Sequence, residues 1–270
     1  MTDTSSGKDH RDENFPVASI LLKPEARAPI MTFYRFARAA DDIAAPPSLA
    51  AKQKLDLLAQ MRAGLDGKGH PAAMALAAIA RERNIDLVHA HELLDAFVQD
   101  ATVSRYSDWG ELIGYCRLSA MPVGRFVLDV HGESRSTWPL SDALCAALQD
   151  RGKDYRALNR VYLPLDAVEA EHAEIAALGG ESSPPELRRV IVKLASKTRE
   201  LLAQSAGFSS GIADGRLAAE VAIIQALAED LVGLLMRRDP LSERVHHSKL
   251  RTGGLAMGAL LRHGFRRVWA

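Results

Sequence analysis

The chain has 270 residues, with 34 lysines and arginines against 34 aspartates and glutamates. It is long enough to bury a sizeable core, and no overall field draws it to nucleic acid. Two cysteines, Cys116 and Cys145, exclude a disulfide framework and fit a reducing, cytoplasmic setting. The start MTDTSSGKDHRDE lacks a signal-peptide core, and no apolar run approaches the ~18 residues of a membrane span.

In chain order, residues 1–13 read as a disordered tail, and 14–270 as a single domain. Apolar residues recur at three- and four-residue steps over 27–45, 49–64, 71–81, 85–104, 110–131, 141–157, 185–206 and 214–237, the spacing of helices that each bury one face. Pro46-Pro47, LDGKGHP, GGESSPP and GFSSGIADG separate them, and Asp239-Pro240 is read as the end of the last long helix. Pro122 is expected to kink the helix over 110–131. Alternating β-branched runs are missing. The expected class is all-α, with about eight to ten helices.

Two acidic pairs interrupt this apolar pattern. In FARAADDIA, Asp41 and Asp42 are adjacent, and a helix places Tyr34, Arg38, Asp41 and Ala45 along one stripe with Asp42 beside it. In QDRGKDYRALNRVYLP, Asp150 and Asp154 are four apart and share one helix face. One reading makes both pairs solvated faces carrying i,i+4 ion pairs. The aromatic and alanine neighbours of Asp41 and Asp42 favour a core position instead, and buried carboxylates need a counter-ion. Hard oxygen ligands suit Mg²⁺, which is held by carboxylates together with substrate phosphates. Arg38 precedes the first pair, and Arg160 with Tyr162 follows the second, completing an anion site. Diphosphate gripped in this way becomes a good leaving group, and an alanine- and leucine-rich interior shelters the carbocation it leaves behind.

Three blocks, ENFPVASILLKPEARAPIMTFYRFARAADDIA, YCRLSAMPVGRFVLDVHGE and QDRGKDYRALNRVYLP, are similar in order and spacing to the squalene and phytoene synthase family. ENFPVAS, YCRLSAMPVGR and DPLSERVHHSK resemble most closely its bacterial hydroxysqualene-forming branch in hopanoid biosynthesis. The resemblance implies an isoprenoid synthase-type helical bundle around a central cavity. It implies Mg²⁺ as cofactor and an isoprenoid diphosphate as substrate. The implied reaction is ionisation of presqualene diphosphate with water capture. Alternatives within the resemblance are head-to-head condensation and non-catalytic binding of a lipid diphosphate. Functional coupling to a presqualene diphosphate synthase is implied as well.

By the same resemblance Asp41, Asp42, Asp150 and Asp154 are the metal-binding and catalytic acids. Tyr34, Arg38, Arg160 and Tyr162 contact diphosphate. Asn14 and Phe15 contact substrate, and Tyr115, Ser119, Val123 and Gly124 line the cavity.

Two departures stand out. Ala45 occupies a position where the family usually carries a further aspartate. The asparagine-containing stretch before the second pair is missing, a loss of roughly six residues or about 9 Å of helix rise. Weakened Mg²⁺ binding is expected from both.

Other features carry less. His89 and His91 in HAHELLD are two apart and project from different faces, unlike converging zinc ligands. Cys116 is read as a packed small side chain. His246 and His247, beside Arg244 and Lys249, either touch an anion or form a solvated basic turn. The final segment KLRTGGLAMGALLRHGFRRVWA either rests on a membrane surface or packs on the core with its arginines reaching outward. The chain is therefore expected in the cytoplasm or peripherally on the inner face of the membrane.

Overall fold

The computed structural model describes residues 21–46, 48–148, 161–243 and 245–268. Twelve α-helices are defined among these residues: α1 Pro24–Ala44, α2 Ala51–Leu65, α3 Pro71–Arg83, α4 Val88–Asp100, α5 Trp109–Ser119, α6 Met121–Val130, α7 Trp138–Leu148, α8 Leu165–Ala170, α9 Pro185–Gln204, α10 Phe208–Gly211, α11 Gly215–Leu235 and α12 Lys249–Val268. Short 3₁₀ turns lie at Arg135–Thr137 and Ile175–Gly179. The β pairing among the described residues is one isolated bridge, Tyr106 to Pro164. The fold is all-α.

Helix ends follow local chemistry. Pro24, Pro71 and Pro185 each open a helix, where a missing N–H costs nothing. Asp214 caps α11 by accepting from Arg216 and Leu217 N–H at 2.8 and 3.0 Å, and Asn84 ends α3 in the left-handed region. In the turn between α2 and α3, Gly67 has φ +94°, and a Cβ on Gly69 would meet the Gln60 carbonyl at 2.2 Å. Only glycine fits either place.

The run over 110–131 breaks completely at Ala120, and Pro122 lies in the first turn of the new helix α6. The helix that was expected to reach Asp239 stops at Leu235. Asp239 instead folds a turn. Its carboxylate accepts from Ser183 N–H at 2.7 Å, Ser183 Oγ at 2.5 Å, Leu241 N–H at 3.1 Å and Ser242 Oγ at 3.1 Å.

The contacts divide the chain into two compact units, residues up to Ser104 with Arg117–Arg135, and Arg105–Cys116 with Ser136 onward. In the first unit α1 packs on α2, α3, α4 and α6. Its core joins Phe33, Phe36, Ala40 and Ile43 of α1 to Leu58 and Met61 of α2, Ala73 and Leu76 of α3, Leu93 and Leu94 of α4, and Phe126 of α6. Full burial of each large side chain in such a core contributes about 1.5–3 kcal/mol. In the second unit α11 packs on α7, α9, α10 and α12. There Leu187, Val190 and Leu194 of α9 close on Val161, Leu163 and Val168.

Candidate functional site

Helix α1 turns Phe33, Phe36, Ala40 and Ile43 to the core. That leaves Tyr34, Arg38, Asp41 and Ala45 on the neighbouring stripe, all four half-buried. One guanidinium gathers both acids. Arg38 Nη1 lies 2.9 Å from Asp41 Oδ2, and Nη2 lies 2.6 Å from Asp42 Oδ1. Arg35 is exposed. The expected core position is corrected to the core's margin: the Asp41 side chain is 42% exposed and that of Asp42 19%. The apolar face of α1 is already occupied, and a carboxylate at the margin keeps some of its water.

The location adds negative potential. Asp41 and Asp42 fall in the last turn of α1, where unpaired carbonyls form the negative pole of the helix. Lys54 of α2 answers part of it by donating to the Ala44 carbonyl at 2.8 Å. The Ala45 N–H closes the helix on the Asp41 carbonyl at 2.8 Å. Two hard carboxylates held side by side at such a pole suit a divalent cation. Among the described residues no group of three or more His, Cys, Asp or Glu side chains is placed to hold a metal. The pair therefore offers two ligands, which fits Mg²⁺, an ion that retains waters and takes phosphate oxygens.

Helix α6 joins this site through the core. Phe126 stacks on Phe33, with ring centroids 4.0 Å apart and planes 15° from parallel. Val123, one turn earlier, is 40% exposed, and Ser119 and Gly124 are half-buried. Asn14, Phe15, Asp150, Asp154 and Arg160 lie outside the described residues.

Within the second unit Tyr115 and Tyr162 meet. Their hydroxyls are 3.4 Å apart and their ring centroids 5.5 Å. Tyr106, absent from the sequence reading, completes the cluster at 5.2 Å from Tyr115 and 5.9 Å from Tyr162. Its sequence setting, a lone tyrosine in a linker, gives no periodic signal, because the Leu165 N–H to Tyr106 carbonyl bond that places it is non-local. All three rings are buried, so their faces supply apolar and quadrupolar surface.

His89, His91 and His247 have structural partners. His89 is buried, with Nδ1 3.2 Å from Glu92 Oε2 and Nε2 3.1 Å from Asp129 Oδ2. His91 faces Arg62, which also binds Asp95. The two histidines do not converge, so HAHELLD forms no metal site. His247 Nε2 sits 2.9 Å from Asp230 Oδ2, and Arg251 grips the same carboxylate with two nitrogens. The Arg251 hydrogen bonds hold the Asp230 carboxyl below its ordinary range, against burial, and His247 adds to the effect. His247 thus serves a carboxylate and not an anion site. Cys116 is buried and Cys145 half-buried, and neither forms a disulfide.

Comparison with known proteins gives one consistent family. The squalene/phytoene synthase model matches residues 8–251. A hydroxysqualene synthase of Zymomonas mobilis is 51% identical over 94% of this chain and 89% of its own length. One from Rhodopseudomonas palustris is 48% identical over 97% and 92%. Among solved structures, a squalene synthase from Alicyclobacillus acidocaldarius superposes with TM-score 0.71 at 26% identity, covering 82% of this chain and 86% of that one. A ligand-bound dehydrosqualene synthase shares the fold with TM-score 0.76 at 18% identity, covering 91% and 89%. The half-buried acid pair on α1, the all-α fold and these matches agree: the chain belongs to the squalene/phytoene synthase family.

Proposed function

We propose that this protein is a hydroxysqualene synthase, which ionises presqualene diphosphate and captures the cation with water to give hydroxysqualene and diphosphate. The observation that carries the reading is Arg38 holding Asp41 and Asp42 together at the C-terminal pole of α1, in a chain about half identical to named hydroxysqualene synthases over most of its length.

The acids and Arg38 divide the work. Asp41 and Asp42 would hold Mg²⁺, and by the family resemblance Asp150 and Asp154 belong to the same ligand set. When bound, Mg²⁺ neutralises charge that develops on the departing diphosphate oxygens. Arg38, Tyr34 and Arg160 bind and orient the diphosphate through charge-assisted hydrogen bonds. Asn14, Phe15, Ser119, Val123 and Gly124 contact the prenyl chains. The buried rings of Tyr115 and Tyr162 exclude water and present π faces toward positive charge. The carbon–oxygen bond breaks with its electron pair leaving on diphosphate. Water oxygen then bonds to the cation as the cyclopropane opens, and one proton is released.

Presqualene diphosphate must come from an enzyme that condenses two farnesyl diphosphates, so coupling to such a synthase belongs to this reading. Both substrate and product carry long prenyl chains, so it also includes work near a bilayer. The test is to incubate the protein with presqualene diphosphate and Mg²⁺, and separately with farnesyl diphosphate, and to measure diphosphate and lipid products. Hydroxysqualene from the first substrate alone supports the assignment. Turnover of farnesyl diphosphate alone, or diphosphate release from neither, overturns it.

A further inference from the structure

Helix α12 has two faces with apolar residues, and among the described residues only one of them is covered. Toward α10 and α11 it packs, with Ala259 and His263 buried. On a helix of 3.6 residues per turn, Leu250, Gly254, Met257 and Leu261 fall within about 60° of one another and opposite Ala259. Leu250 is 91% exposed, Met257 60% and Leu261 59%. They are the three most exposed large apolar side chains among the described residues, and they share one stripe about 16 Å long.

The charge that α12 itself carries is of one sign. Lys249–Val268 contains Lys249, Arg251, Arg262, Arg266 and Arg267 and no acidic residue, in a chain whose total charge is zero. Lys249 and Arg262 are exposed on its flanks. Arg251, paired with Asp230 and joined there by His247, fixes the start of the helix to α11. An apolar stripe edged by cations on a firmly docked helix is the pattern of an element lying in a membrane interface. No described helix is long and apolar enough to cross a membrane. Most of the stripe also lies beyond residue 251, where the family match ends.

We propose that the outer face of α12 is a docking surface for an anionic lipid bilayer, with Leu250, Met257 and Leu261 entering the acyl boundary and Lys249 and Arg262 meeting lipid phosphates. This surface belongs to the second unit, whereas Asp41 and Asp42 belong to the first. The test is co-sedimentation of the full-length protein with vesicles of phosphatidylcholine, with and without about 30% phosphatidylglycerol. The wild type is expected to pellet with the anionic vesicles and to be released by raised salt. Combined Leu250→Ser, Met257→Ser and Leu261→Ser is expected to weaken binding at least about tenfold, with the circular dichroism of the wild type. Lys249→Gln with Arg262→Gln should remove the preference for anionic lipid. Failure of the wild type to bind overturns the proposal, as does undiminished binding by the serine variant. So does sedimentation velocity showing a wild-type dimer that the serine variant dissolves, which would make the stripe a contact between copies. Diphosphate release in detergent by the serine variant should equal that of the wild type, which keeps this outcome distinct from failure of the catalytic reading.

Discussion

Arg38 binds Asp42 at 2.6 Å with one arm of its guanidinium while the other arm reaches Asp41. The arginine is a counter-ion of the pair. An incoming divalent ion would free the guanidinium to turn toward diphosphate, since Arg38 cannot satisfy both at full strength. Arg38→Lys keeps a charge but loses the fork geometry. It is expected to cut kcat/KM for presqualene diphosphate by about 10²-fold, roughly 2.7 kcal/mol of transition-state stabilisation. Steady-state diphosphate release checks this; a change under threefold would remove Arg38 from the site.

Ala45 lies half-buried on the stripe shared by Arg38 and Asp41. Ala45→Asp would add a third carboxylate to that face and is expected to lower the Mg²⁺ concentration at half-saturation roughly three- to tenfold, because charge count tunes such sites. Titration calorimetry with inorganic diphosphate present measures it without turnover. An unchanged midpoint would mean that the end of α1 does not face the metal.

His89 ties α4 to α6 through Asp129 and to its own helix through Glu92. His89→Ala leaves two half-buried carboxylates short of a donor and is expected to cost about 1–3 kcal/mol of stability. Chemical denaturation reads this directly. His89→Gln, which still donates once, should recover part of it.

Asp239 predicts a pH dependence. Burial pushes its carboxyl up, but the hydrogen bonds from Ser183, Leu241 and Ser242 outweigh it and hold the group below its ordinary value. The folded pKa is therefore lower than the unfolded one, near about 4. Its stabilisation is complete above the unfolded value and is lost as pH falls through the folded one. Asp239→Asn should flatten that part of the acid limb of unfolding free energy against pH. A limb as steep as the wild type's would deny the linkage.

What was legible in the sequence was what local pattern controls. The 3.6-residue spacing located α1 to α4, α9 and α11, though not α12, and the kink expected at Pro122 is a full break between α5 and α6, since proline removes an N–H in any sequence context. The stripe of Tyr34, Arg38, Asp41 and Ala45 followed from helix geometry alone. The balance between core and margin did not. Asp41 and Asp42 were placed too deep, because their alanine neighbours look apolar whichever way they face. Tyr106 and the role of Asp239 were missed since each is defined by partners distant in sequence, Leu165 for one and Ser183 for the other. The Asp-Pro-Leu-Ser order did hold a clue, for aspartate two residues before an N–H favours a side-chain-bonded turn over a helix end.

The stack of Phe126 on Phe33 has a consequence for how the molecule is made. The first unit draws on α6, yet residues Arg105–Cys116 of the other unit intervene. On the ribosome, α1 to α4 emerge well before the ring that covers Phe33. Until then that side of the nascent chain stays open to water and to stray partners. Truncation after Ser104 would preserve that exposed intermediate permanently, so fragments ending there should bind chaperones or precipitate, while those extending past Arg135 can close their first core.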